Sequence, residues 1–401
     1  MSDNITSEQY RAEISMLNHE IYDLTKQLEE EKNKEIQGSI IDKHDPFDNP
    51  TEYHDYNGDY TEIVPQAAVP GCKIPVEPNN GERKRLRRFY TIGGTSMLCH
   101  FLATNLISAI LIGIVMLILQ FKHPDVSYAE LYKYAYGSAI IISIIAFTYL
   151  TANIGFAAMG MKWSKTKASS LIQTKNFSVG KAIQYCFSAI FIQYAASFLT
   201  VYSSDIISKY GFSTEVDNSG LAQTGAGFII MIIYTCIIAP ISEEIFFRGM
   251  LLKTFSRANQ RFAIVASSIF FGLAHGNLPQ FFLAFLLGMF LSNITMKHNS
   301  ILPSIIVHIF VNSISTIFNE LYSDTANQTF LVMLNLTYLL IAIVGLVMFI
   351  EFALKNKLPA TTLQQSRRGF SIAKTSVPTL IAFILQLGSA VLVILQSKIT
   401  G

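Results

Sequence analysis

Residues 227–249 read GFIIMIIYTCIIAPISEEIFFRG. The stretch is uncharged and mostly apolar as far as Ser242, and then places Glu243, Glu244 and Arg248 inside the same run. A run of this length suits a helix crossing a hydrocarbon layer about 30 Å thick, which needs roughly 20 residues. Three ionisable groups within it carry an insertion penalty of about 8 kcal/mol if unpaired. They must therefore face one another or a hydrated cavity. Glu244 and Arg248 are four apart and pair along one helical face. Glu243 points about 100° away from Glu244 and needs a different partner.

The rest of the 401-residue chain repeats the apolar theme. Hydrophobic residues make up 51% and charged residues 14%, against roughly 25% charged in a soluble domain. Residues 1–90 hold 11 Lys/Arg and 18 Asp/Glu, leaving 19 basic and 10 acidic residues for the other 311. So few charges cannot coat a water-soluble surface. A soluble enzyme is excluded, and the expected fold is all-α, a polytopic transmembrane helix bundle of eight to nine spans. The expected runs are 97–120, 133–158, 178–202, 225–252, 262–276, 279–296, 300–319, 330–354 and 376–397, with the fifth and sixth the weakest.

The charges between runs set an orientation. One set of loops carries Lys162, Lys165 and Lys167; Lys253, Arg257 and Arg261; Lys297; and Lys355, Lys357, Arg367 and Arg368. The opposite loops carry Asp125, Glu130, Asp205, Glu215, Asp217, Glu320 and Asp324. Basic residues favour the cytosolic side, so the expectation is an integral cell-membrane protein with a cytosolic N-terminus.

Ahead of the spans, Tyr10, Ile14, Leu17, Ile21, Leu24 and Leu28 alternate three- and four-residue steps over 1–33. That spacing suits a short coiled coil, with homo-oligomerisation through residues 10–28, and equally a solitary amphipathic helix. Residues 34–90 form an acidic, Pro-containing linker, disordered by composition, that ends in the basic cluster Arg83, Lys84, Arg85, Arg87 and Arg88. Beside a span this cluster anchors the bilayer face, and no nucleic-acid partner is expected. Residues 91–224 then form spans 1–3, 225–320 the spans that include the charged run, and 321–401 the last spans. Cys72, Cys99, Cys186 and Cys236 show no metal-binding or disulfide pattern.

Chemistry is expected where polar groups converge. The fifth run ends at His275, and the seventh holds His308 and Asn312 on one face, four residues apart. At about 1.5 Å per residue, Glu243, His275, His308 and Asn312 fall roughly 12–20 Å from the cytosolic ends of their runs. A carboxylate beside a histidine can deprotonate water, and a second histidine with an asparagine can donate hydrogen bonds to an oxyanion. The set has the parts for amide hydrolysis, while each residue alone has a blander reading as a helix-packing group.

Glu243-Glu244-x-x-x-Arg248, Phe271-x-x-x-His275 and His308-x-x-x-Asn312, in that order on separate apolar helices, resemble the motifs of the CPBP (CAAX protease and bacteriocin-processing) intramembrane endopeptidases. The resemblance covers about 225–320 and implies that Glu243 with His275 activates water and that His308 with Asn312 stabilises the oxyanion. Glu244 and Arg248 would organise the site or contact the substrate, a membrane-associated peptide or protein. No cofactor is expected. The alternative is zinc held by Glu243, His275 and His308, since one open position would remain for water. HExxH, GxSxG and a membrane-embedded Asp pair are absent from the sequence. The rival readings are a non-catalytic scaffold or bacteriocin-immunity protein and, third, a proton-coupled transporter.

Overall fold

In hydrocarbon every backbone N–H and C=O must be bonded within its own segment, so long apolar runs become helices. A computed structural model describes residues 7–40, 80–172, 177–214, 220–222, 224–323, 327–356 and 370–397. Most of the acidic linker, together with Glu215, Asp217, Asp324, Lys357, Arg367 and Arg368, lies outside the described residues.

Helix α1 (Ser7–Ile40) forms a unit of its own. Ile14, Leu17, Ile21, Leu24 and Leu28 are all exposed along it. The second unit holds α2 (Asn80–Lys122), α3 (Tyr128–Gly137), α4 (Ala139–Ser164) and α5 (Val179–Ser208). A long helix α6 (Gly225–Ser256) follows, then α7 (Gln260–Ala274), α8 (Leu278–His298), α9 (Leu302–Ser323), α10 (Gln328–Lys355) and α11 (Val377–Gln396). Among the described residues no strand forms.

Eight of these helices, α2, α4, α5, α6 and α8 to α11, are long and apolar enough to cross a membrane. The remaining run, the fifth, is α7, whose 15 residues reach only about 22 Å at 1.5 Å per residue. The chain is an integral membrane bundle, and its outer residues agree with that: Leu106, Ile110, Leu117 and Phe121 of α2 face outward, where lipid replaces water as the apolar solvent.

Helix α6 runs through the main core, where Phe246, Phe247, Met250 and Phe255 pack with Tyr90 and Phe271. It contacts α2, α4, α7, α8 and α9. The two basic residues at its end, read from the sequence as loop charges, lie inside the bundle. Lys253 and Arg257 are buried, Lys253 Nζ donating to Ser170 Oγ and Arg257 Nη1 to the Ser164 carbonyl. These two cations tie the end of α6 to the α4–α5 connection. The turn from α7 to α8 passes through Gly276 at φ +69°, a region that glycine enters without steric penalty. Asn277 then caps α8 by accepting from Gln280 N at 2.9 Å.

The loop charges predict that Lys165 and Thr214 lie on opposite faces of the bilayer. A reporter fused after Lys165 is expected to read cytosolic and one fused after Thr214 extracytosolic, and the reverse pattern would overturn the orientation.

Candidate active site

Two π-helical stretches, Tyr234–Ile238 and Ile245–Leu252, flank the short α-helical stretch Ala239–Glu244 that carries both glutamates. Such widened turns recur at functional sites, and here one has a local cause. Ala239 N–H bonds the Tyr234 carbonyl, five residues back. The next residue, Pro240, has no N–H to continue that register onto Thr235. The Thr235 carbonyl instead accepts from Asn312 Nδ2 at 2.9 Å, which ties α9 to α6. Asn312 thus uses one of its two amide protons on backbone and keeps the second.

Glu244 is fully buried and Arg248 is 1% exposed. Glu244 Oε1 accepts from Arg248 Nη1 at 2.8 Å and from His308 Nδ1 at 2.9 Å. The i,i+4 pair expected from the spacing is therefore present, and it also holds a histidine from α9. With Nδ1–H directed at Glu244, His308 turns Nε2 towards Glu243 Oε2 at 3.7 Å, which is too long for a direct hydrogen bond. Glu243 is 18% exposed at the side chain. The two neighbouring carboxylates thus face opposite nitrogens of one imidazole.

Phe271 gathers the rest. Its ring lies 4.3 Å from the Arg248 guanidinium carbon, 5.0 Å from the His275 ring and 5.6 Å from the His308 ring. His275 closes α7, and its Nδ1 meets the Phe271 carbonyl at 2.8 Å. A carbonyl only accepts, so Nδ1 carries the proton and Nε2 of the neutral ring is a free acceptor. Gly288 of α8 makes room for this layer: a Cβ there would lie 3.2 Å from Phe271 and 3.3 Å from Arg248 Nη2.

Among the described residues no hydrogen bond joins Glu243 to His275 or His308 to Asn312. No group of three His, Cys, Asp or Glu residues is placed to hold a metal ion among the described residues. Glu243, His275 and His308, the alternative zinc ligands, are not gathered into such a set.

A polar chain behind Glu243 escaped the sequence reading. His100 Nε2 and Asn153 Oδ1 are 2.8 Å apart, and Asn153 Nδ2 donates to Ser242 Oγ at 3.0 Å. All three residues are buried, and His100 stacks on Phe246 at 4.7 Å. The chain links α2, α4 and α6 immediately before Glu243, and Tyr149 and Tyr234 lie within electrostatic reach of that carboxylate. The criterion that singled out α6 would have found His100 and Asn153, because each is a polar side chain inside an otherwise apolar run.

Residues 225–314 match the family of Type II CAAX prenyl endopeptidase Rce1-like proteins. The match runs from the start of α6 into α9 and contains Glu243, Glu244, Arg248, Phe271, His275, His308 and Asn312. It bears out, over this segment, the resemblance read from the three motifs. The Rce1-like match supports an intramembrane endopeptidase in general. No match was found among curated proteins or among solved structures.

Arg248 Nε and Nη2 are buried without hydrogen-bond partners among the described residues, so the pair is an expensive way merely to pack helices. Removing one partner leaves the other charge buried. Arg248→Met is expected to lower unfolding stability by about 3–5 kcal/mol, measured by thermal or denaturant unfolding in detergent. Adding Glu244→Gln to it is expected to recover part of that loss, and simple additivity of the two losses would contradict the coupling.

Proposed function

We propose that the protein is an intramembrane endopeptidase in which Glu243, together with His275, activates water for attack on a peptide bond of a membrane-associated peptide or protein. The observation that carries this reading is the placement of His308 between the two carboxylates, Glu244 on Nδ1 and Glu243 opposite Nε2. The arrangement lies inside an apolar bundle and within the Rce1-like segment.

Glu243 takes a proton from water, and the resulting hydroxide attacks the carbonyl carbon. His275 Nε2, left as an acceptor by the Nδ1–H bond to Phe271, holds the second water proton. Negative charge then develops on the carbonyl oxygen. His308, acting as an imidazolium that keeps its Nδ1–H on Glu244 and carries a second proton on Nε2, donates to that oxygen together with the amide proton that Asn312 does not give to Thr235. Donors of this kind count for more in a site from which water is largely excluded. Collapse breaks the C–N bond, and the leaving amine takes the proton held by Glu243.

Glu244 and Arg248 act through His308. Glu244 fixes the proton on Nδ1 and the plane of the ring, and Arg248 holds Glu244 in place. The scheme uses no metal. The family description supports a prenylated C-terminal tail as one substrate class, and a membrane-anchored peptide is the other.

With purified full-length protein in vesicles and a membrane-tethered peptide as substrate, Glu243→Gln and His275→Ala are each expected to slow cleavage at least about 100-fold, the usual contribution of a positioned acid or base. Unfolding temperatures should stay near that of the wild type. Wild-type rates in both variants would overturn the scheme and favour a non-catalytic role for the polar cluster. A chelator is expected to leave the rate unchanged, and inhibition reversed by added zinc would replace the metal-free mechanism with a metal one.

A further inference from the structure

Helix α1, a unit by itself, carries an apolar stripe in the open. Ile14, Leu17, Ile21, Leu24 and Leu28 follow one another at steps of three, four, three and four, and each is between 52% and 59% exposed. Written as a heptad, these steps put Ile14, Ile21 and Leu28 at the first (a) position and Leu17 and Leu24 at the fourth (d). Every a and d position from 14 to 28 is thus apolar. At about 1.5 Å per residue the five residues mark a seam of roughly 21 Å along one side of the helix.

The charges on α1 decide against a lipid surface as the cover for this seam. Residues 11–30 hold five acids, Glu13, Glu20, Asp23, Glu29 and Glu30, against Arg11 and Lys26. Helices that lie on a bilayer carry Lys and Arg on their polar face, and an anionic leaflet repels a helix of the opposite balance. The residue types in the seam favour a copy of the same helix, because Ile at a with Leu at d is the combination that packs two parallel strands. The flanking positions agree. In a parallel pair Glu13 meets Asn18 of the second copy and Glu20 meets Thr25, so no like charges are opposed. Thr25 gives its hydroxyl to the Ile21 carbonyl at 2.6 Å and needs no partner across the seam. An antiparallel pair that keeps Ile14 opposite Leu24 instead sets Glu20 against Glu20.

We propose that α1 joins two copies of this chain in a parallel two-stranded coiled coil along Ile14, Leu17, Ile21, Leu24 and Leu28. A seam of about two heptads is marginal for free helices. Confinement of the copies to one bilayer raises the concentration at which they meet, as linkage does for tethered modules. Every copy sends α1 out on the same face of the membrane, and a parallel pair brings together the two chain ends that lead to the spans. The inference does not depend on the reading of the active site.

The test uses the full chain in vesicles. With Cys72, Cys99, Cys186 and Cys236 replaced by serine, single cysteines are introduced into α1 and oxidised under mild conditions. Leu24→Cys is expected to give at least about tenfold more intermolecular disulfide than Lys26→Cys on the opposite side of the helix, because only the seam brings two Cα atoms within disulfide reach. In a mixture of tagged Ile14→Cys and untagged Leu24→Cys chains, disulfides are expected within each kind and not between them. Stepwise photobleaching of labelled wild-type chains is expected to count two copies per particle, falling to one in Ile21→Asp/Leu24→Asp. The exchange Ile14→Leu/Leu17→Ile/Ile21→Leu/Leu24→Ile keeps the seam apolar and is expected to raise the count above two, since Leu at a with Ile at d packs more strands.

Single copies in the wild type would overturn the proposal, as would equal cross-linking at Lys26→Cys or disulfides between the two kinds of chain. Pairs retained in Ile21→Asp/Leu24→Asp would overturn it as well, by moving the contact to the membrane spans. A count of two after the exchange of Ile and Leu would overturn the a and d packing on which the parallel seam rests.

Discussion

A carboxylate with no exposed surface, set in an apolar helix bundle, must find its hydrogen bonds inside the protein. Glu244 is that group, and much of the site's organisation follows from how its Oε1 is bonded. Arg248 reaches it along α6 and His308 reaches it from α9. Arg248 in turn lies against Phe271 of α7, and Gly288 of α8 leaves the room that this requires. One buried negative charge therefore draws four helices into register. It also fixes which nitrogen of His308 is directed towards Glu243.

The backbone of α6 contributes as much as its side chains. Pro240 and the widened turn before it release the Thr235 carbonyl, and Asn312 answers it from α9. Helix α9 is thus held to α6 at two heights, by His308 on Glu244 and by Asn312 on Thr235. Between these contacts Glu243 keeps some exposure and, among the described residues, makes no close hydrogen bond of its own, as the proposed water-activating role requires. The chain of His100, Asn153 and Ser242 braces the opposite side of the same turn.

The cationic loop residues divide into two kinds that charge counting treats alike. Lys253 and Arg257 are buried and tie α6 to the α4–α5 connection. Lys297 instead lies 5.5 Å from the Phe352 ring, beside an apolar cavity between α5, α8 and α10.

Apolar run length and charge scarcity were enough to specify an all-helical membrane bundle, because spanning hydrocarbon requires both. The two weakest runs became α7 and α8; α8 is long enough to span, while the shortness of α7 is visible in its residue count but its packing against α8 is not. The Glu244–Arg248 pair was also legible, since a four-residue step fixes two side chains on one face whatever surrounds the helix. The partner of His308 was not legible. Helical rise gives depth along a helix axis and says nothing about rotation about it, so the sequence could match Glu243 to either histidine. Tertiary packing decided that His308 sits between both glutamates, that Asn312 serves the α6 backbone, and that His275 meets the site through Phe271. Those choices depend on the rotation and spacing of neighbouring helices, which local periodicity does not encode.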